Sequence, residues 1–408
     1  MKIIKELLIA ALGLVLVISL LPATVNANEP QFSVTMYSQS VLNDSQPLQE
    51  PMDFVRPVNV GMPENFRGFV VDFVLLHPYV TVRAEHEGTL WATLTRAPLV
   101  NSGILLSSQD HGDSWTQVYE FHNPIIMIYC DDFGNIFVAT TQDRWGNPGT
   151  GELFKSYDGG NTFARVLRFE AGAPFHWNIV STGGMMFVSE YGFKGIGNNA
   201  RRIYRSLDFG KTWEIVFNPP PTYNWHNHRI IISNGTIYQS IGDRPHNHII
   251  RSIDKGETWV IAFENMHPTG AVVFDTHILW SLDSGANPGQ ANAGIVRQDN
   301  TTGMMDLVFV PPYPFDGTSY DMAIANGIVY ALFLSYRGDR HPASIWYSKD
   351  EGNSWGLMGY ITKQRYDGIG LWQLTTDERY GYICIQTPVY RDGVKEYFRG
   401  TLRFELLR

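Results

Sequence analysis

The stretch Ser206-Leu207-Asp208-Phe209-Gly210-Lys211-Thr212-Trp213 decides how this chain folds. Reduced to S-x-D-x-G-x-[ST]-[WF], the same pattern recurs at 108–115, 156–163, 252–259 and 348–355. The five aspartates, Asp110, Asp158, Asp208, Asp254 and Asp350, step by 48, 50, 46 and 96 residues. Since 96 is twice 48, one further copy has decayed, near 299–303. A fixed period of this size means stacked supersecondary units, and here it predicts an all-β propeller of four-stranded blades.

The pattern is a staple for a hairpin. Its Asp can accept hydrogen bonds from backbone amides of its own turn. Its Gly takes a positive φ at no steric cost. Its Ser or Thr hydroxyls close the turn locally, and the aromatic opens the next strand. These positions are expected to be structural rather than catalytic.

On these residues the chain resembles the Asp-box (BNR repeat) sialidase-like propeller superfamily, over roughly residues 66–408. The resemblance implies the fold. It also implies carbohydrate-active enzymes among the relatives, beside non-catalytic receptors and assembly factors. The early Arg-Ile-Pro motif of sialidases has no counterpart here, where Arg56-Pro57 stands alone, so no arginine triad is carried over.

The chain has 408 residues, 44 % hydrophobic and 17 % charged, with 38 Gly and 20 Tyr, as suits an all-β protein rich in turns. A net charge of −9 speaks against a general nucleic-acid surface. Lys2, Lys5, an apolar run over 7–21 and Val25-Asn26-Ala27 read as a signal peptide, residues 1–27. The apolar run is short for a membrane span. A secreted or extracytoplasmic protein with no stable span after cleavage is therefore expected, and a monomer. Residues 28–50 read as a linker or loosely attached segment, and 51–408 as one propeller domain. Cys130 and Cys384 fall on non-adjacent blades and are expected as two buried free thiols.

Aligning the repeats gives a first, innermost strand at 79–85, 125–131, 176–182, 226–233, 270–276, 320–326 and 371–376. Second strands follow at 89–94, 135–141, 185–191, 236–241, 277–282, 328–335 and 381–387. Seven blades result, with six the second choice. The last blade lacks an outer strand, which 52–73 is expected to supply, so that no sheet edge remains.

In such a ring the starts of first strands and the ends of second strands share one face. Arg96, Arg144, Arg244, Arg337 and Arg391 fall there, on five of seven blades, as candidate substrate-binding groups. Guanidinium is suited to carboxylate or sulfate. The same arginines can instead pair in loops, as in Asp143-Arg144 and Asp243-Arg244, where an exposed ion pair contributes little. His176, Trp177, Tyr320 and Asp321 join them at the strand starts.

Candidate catalytic groups are Glu190, Tyr191, His226 and His228. Tyr with Glu is the pairing retaining sialidases use, although adjacent residues on a regular strand point oppositely. His226 and His228 share a strand face, and with His176 could gather as a base or a metal set. Histidines hydrogen-bonded in loops are the plainer alternative. No cofactor or metal is assigned. The expected ligand is an anionic carbohydrate: a sialic acid, a uronate or a sulfated sugar. Recognition with cleavage, recognition alone, and elimination by a His/Tyr/Arg lyase all remain open.

Overall fold

The computed structural model describes residues 31–36, 54–59, 73–76, 79–96, 100–142, 151–191, 201–219, 226–242, 247–283, 294–312, 315, 317–334, 343–361, 370–391 and 394–408. They form seven sheets of antiparallel blades, all β, as the period predicts. Each blade has strands A to D from the axis outward. Blade one is Val80–His86, Thr89–Arg96, Val100–Ser108 and Thr116–Glu120. Blade two is Ile125–Cys130, Ile136–Thr140, Glu152–Ser156 and Ala164–Arg168. Blade three is Ile179–Thr182, Met185–Ser189, Ile203–Ser206 and Glu214–Phe217. Blade four is His226–Ser233, Thr236–Gly242, His248–Ser252 and Val260–Glu264. Blade five is Pro268–Val273, His277–Leu282, Ile295–Asp299 and Met305–Phe309. Blade six is Thr318–Ala325, Ile328–Leu334, Ala343–Ser348 and Gly356–Ile361.

Blade seven joins the two ends of the chain. Gly370–Thr376, Tyr380–Arg391 and Val394–Glu405 are its A, B and C strands, and Phe73–Leu75 is its D strand, pairing Phe73 with Phe404 and Leu75 with Leu402. Closure thus comes from the N-terminal side as expected, but only Phe73 falls in the stretch 52–73, with Val74 and Leu75 just beyond it. Gln31–Met36, within the stretch read as a linker, runs parallel to Phe73–Leu75, and Phe54–Asn59 pairs with it in turn.

Burial follows position in the blade. Strand B of blade six, IVYALFL, is buried at every residue because both of its faces meet neighbouring blades. D strands such as Thr116–Glu120 are half open to solvent. Cys130, part-buried on strand A of blade two, and Cys384, buried on strand B of blade seven, are both free thiols. Burial pushes the Cys130 thiol up to about 12.

The repeated turn works as its residues require. In blade three, Asp208 accepts Ser206 Oγ at 2.8 Å, the Thr212 amide at 2.9 Å and Thr212 Oγ1 at 2.7 Å, while the Gly210 amide donates to Ser206 Oγ at 2.8 Å. Asp110, Asp158, Asp254 and Asp350 make the same set. Gly210, at φ +76°, also lies so close to the Phe137 ring of the preceding blade that a Cβ would stand 2.6 Å from it. In blade five the hairpin keeps its span, from Arg297 opposite Asp306, as Arg205 stands opposite Glu214. Gln298 there takes the serine's place, and Asp299, one residue early, accepts the amides of Thr301 and Thr302.

A second function of the turn is to latch blades together. The residue before its glycine has a positive φ: His111 59°, Phe209 61°, Lys255 58° and Glu351 54°. Its carbonyl is taken by a cation on strand C of the preceding blade. Arg403 reaches His111 at 2.7 Å, Lys155 reaches Phe209 at 2.5 Å, Arg205 reaches Lys255 at 2.7 Å and Arg297 reaches Glu351 at 2.9 Å.

Candidate functional site

The A strands of adjacent blades pack on one another around the axis. Six of the seven carry a β-bulge, with register shifts after Val82, Ile125, Asn227, Pro268, Ser319 and Leu371. A bulge inserts an unpaired residue and re-aims its side chain. The residues so placed include Arg83, Arg229, Thr269 and Tyr320.

Asp321 is the hub of the channel. Its buried carboxylate pairs with Arg229 Nη2 of blade four, accepts the Leu374 amide of blade seven at 2.9 Å and its neighbour Met322's amide at 3.0 Å, and lies 3.4 Å from His176 Nε2 beside blade three. Arg229 Nε donates to the Thr269 carbonyl of blade five at 3.1 Å. Four blades therefore meet at one carboxylate, and blade five joins them through Arg229. Burial works to raise its pKa, but the Arg229 charge, His176 and the Leu374 amide together hold it below the usual range. Burial is also the main reason the His176 pKa falls to about 4. Asp321 opposes that fall, and the charges of Arg229 and Arg83 add to it.

Across the channel, Arg83 Nη1 of blade one donates to Gln373 Oε1 at 3.1 Å, and Gln373 Nε2 returns a bond to the Arg83 carbonyl at 2.6 Å. Arg83 Nε is buried with no acceptor among the described residues. Arg229 thus pairs with Asp321 directly, while the Arg83 charge acts on its neighbour His176.

Beside this cluster stands an aromatic wall. Trp177 stacks on His228 at 5.9 Å, and Tyr191 meets Phe175 edge-on at 4.7 Å and His228 at 5.5 Å. His228 lies 4.4 Å from His267. Gly242 permits that meeting, because a Cβ there would stand 2.1 Å from His267 Nε2 and 2.5 Å from His228 Nε2. Asn178 fixes the segment bearing Trp177, donating to the carbonyls of Asn227 and His228 at 3.0 and 2.9 Å and accepting the Phe175 amide. The Trp177 and His267 ring nitrogens Nε1 and Nε2 are buried without a partner among the described residues.

The sequence-predicted residues fare differently. His176, Trp177, Tyr191, His228, Tyr320 and Asp321 all lie at or beside the channel; of these, Trp177 and Tyr320 are buried in the core. Glu190 and Tyr191 diverge, as neighbours on a strand should. Glu190 is fully buried and accepts the amides of Glu170 and Ala171 at 3.0 Å each and the Tyr204 hydroxyl at 2.8 Å. It is a tether for that loop, and burial raises its pKa despite these donors. The bulge at 228–229 breaks the alternation assumed for His226 and His228. His226, Arg96 and Arg391 lie on described strands, but their side chains, and all of Arg144, Arg244 and Arg337, lie outside the described residues. No group of three His, Cys, Asp or Glu forms a metal set among the described residues. Arg83, Arg229, Gln373 and His267 were not anticipated. A charged residue inside an apolar first strand, as in Val82-Arg83-Ala84, was their one visible signal.

No family model and no curated protein matches the sequence. Solved structures do. The chain is similar to YCF48 bound to D1 peptide, at 12 % identity and a TM-score of 0.53, over 83 % of this chain and 96 % of that one. It is similar to YCF48 from Cyanidioschyzon merolae at 13 % and 0.50, over 82 % and 96 %. A polysaccharide lyase of family PL25, an ulvan lyase, stands at 12 % and 0.47, over 82 % and 95 %. At such identities the likeness to the first two shows the propeller fold alone.

Proposed function

We propose that this chain is a secreted, monomeric sialidase-like propeller that recognises an anionic glycan at the channel mouth. The surplus of donors around Asp321 carries the reading. Arg229 pairs with Asp321, a carboxylate already engaged, while Arg83, bonded to Gln373, and Trp177, packed on His176, each keep a buried N–H without an acceptor among the described residues. Buried donors left unpaired are costly, and a ligand carboxylate or sulfate would satisfy them. Tyr191, part-buried, offers a ring beside it and meets the buried Trp177 edge-on. The arginines Arg96, Arg144, Arg244, Arg337 and Arg391 extend the same proposal outward.

Recognition is favoured over hydrolysis because Glu190 and Asp321, the carboxylates described here, are both held by structural partners. The second reading is a lyase. It is favoured by Tyr191 and His228, whose rings lie 5.5 Å apart, a base and a proton donor that need no carboxylate.

Calorimetry with uronate, sialylated and sulfated oligosaccharides against neutral ones tests recognition, followed by mass spectrometry of the mixtures. Selective binding without turnover is the expected result. Unsaturated products would move the assignment to the lyase, and equal binding of neutral sugars would end the anionic reading.

A further inference from the structure

The opposite face, where the repeated turns lie, carries an apolar patch that the channel reading leaves unused. Its residues occupy equivalent positions of successive turns. The position after the serine is Gln109 in blade one and Lys349 in blade six, but Tyr157, Leu207 and Ile253 in blades two, three and four. The position before the glycine is His111 in blade one and Glu351 in blade six, but Phe209 in blade three. The hairpin is the same in each, so its geometry does not demand the apolar residues. Tyr157, Leu207, Phe209 and Ile253 are 41 to 76 % exposed. Phe133, from the A–B turn of blade two, meets Phe209 edge-on at 5.0 Å, and Lys155 lies 4.0 Å under the Tyr157 ring while reaching the Phe209 carbonyl. The patch is thus continuous over blades two and three, with Ile253 on the next turn.

Charge decides what it fits. Each of Tyr157, Leu207 and Ile253 is followed directly by a turn aspartate, and Asp131 and Asp132 precede Phe133, so that five carboxylates outnumber the three lysines of the same segments, Lys155, Lys211 and Lys255. Asp158 and Asp254 are held at about 2 by the hydroxyl and amide of Thr162 and Thr258. Burial raises Asp208, yet the Thr212 amide and hydroxyl outweigh it and hold it at about 2. These carboxylates stay ionised at any working pH. Exposed large apolar patches mark interaction sites, and fixed charge among the apolar tips opposes entry into lipid.

We infer that this face docks a segment of a partner polypeptide in which apolar side chains alternate with Lys or Arg. The probe is a fluorescent peptide of alternating Leu and Lys, with Leu/Glu and Ser/Lys peptides as controls, read by anisotropy. The test variant gives the patch the residues of blade one: Tyr157→Gln, Leu207→Gln, Phe209→His and Ile253→Gln together. Ile253→Gln alone, at the most exposed position, serves if the combined variant fails to fold. The purified protein is expected to bind Leu/Lys at least tenfold more tightly than either control, more weakly at high salt. The combined variant should lose at least tenfold, and the single variant severalfold. Equal binding of Leu/Glu, or unchanged affinity in a folded variant, would overturn the inference. So would sedimentation with neutral lipid vesicles in place of peptide binding, or a dimer that the variant dissolves.

Discussion

Arg403 donates to the carbonyl of His111 at 2.7 Å and to the carboxylate of Asp113 at 2.7 Å, across 292 and 290 residues of sequence. Strand C of the last blade is thereby fastened to the turn of the first, beside the strand pairing that closes the ring. Arg403→Met should destabilise the protein by about 1.5–3 kcal/mol, as for a hydrogen bond to a charged group. Arg251 holds the same place in blade four, but the turn it would meet in blade five has decayed. Arg251→Met should stay within about 0.5 kcal/mol. Urea denaturation of both variants checks this, and equal losses would remove the latch from the account.

The turn glycines separate two costs. Gly210→Ala adds a Cβ against the Phe137 ring at a positive φ, whereas Gly159, at φ +69°, has nothing within 4 Å of its Cβ. Gly159→Ala should cost about 1–2 kcal/mol for backbone conformation alone. Gly210→Ala should cost clearly more. Comparable melting temperatures for the two would show that the close approach is relieved cheaply.

That contrast bears on what was legible in the sequence. The spacing of about 48 residues exposed five hairpins and the place of a decayed sixth because the turn's chemistry is local: Ser, Asp, Gly and Thr bond to one another within eight residues. The channel is not local. A one-residue bulge reverses which face a side chain takes, so Arg83 and Arg229 enter the site from positions that an unbroken alternation hides. Glu190 read as a candidate acid/base because its donors, Glu170, Ala171 and Tyr204, come from other segments. The cation preceding the motif, as at Lys155 and Arg205, was visible as a column, yet its acceptor lies on another blade.

Acid should weaken the turns. Asp158 and Asp254 lie at about 2 in the folded protein against 3.8 as the reference. As pH falls, the unfolded chain takes up protons first, so the stabilisation is complete above about 4 and is lost between about 4 and 2. Urea midpoints at pH 5, 4, 3 and 2 should fall steeply over the lower steps. Asp158→Asn should flatten that fall.

His176 acts in a higher window. Its folded value of about 4 lies below the reference of 6.5, so the unfolded chain binds the proton first between them. Its contribution is fully present above about 6.5 and is lost as pH drops toward 4. His176→Asn should reduce the slope of stability between pH 6.5 and 4, and a slope identical to wild type would mean that the imidazole is not buried.

Asp321 and Arg83 divide stability from binding. Asp321→Asn leaves the Arg229 guanidinium buried without its counter-charge and should cost about 3–5 kcal/mol. Arg83→Met leaves Gln373 short of one donor and should cost about 1 kcal/mol while weakening an anionic ligand at least tenfold. Calorimetry and denaturation on the same samples check both halves. Unchanged affinity in Arg83→Met would remove that arginine from the site.

The latches divide the ring unevenly. Among the described residues they couple blade seven to one, two to three and four, and five to six. Ser107, Arg251 and Tyr347 occupy the cation's place at the other three joints; blade four is still bonded to five through Arg229–Thr269 and Ser240–Pro268, and six to seven through Asp321–Leu374 and Tyr330–Leu407, whereas blade two meets blade one through packed rings such as Phe163 on Tyr119. Mechanically the molecule is a ring with one soft joint, between blades one and two, rather than a uniform hoop. Amide protons beside that joint should exchange first, and the channel should widen by parting there while the rest of the ring keeps its shape.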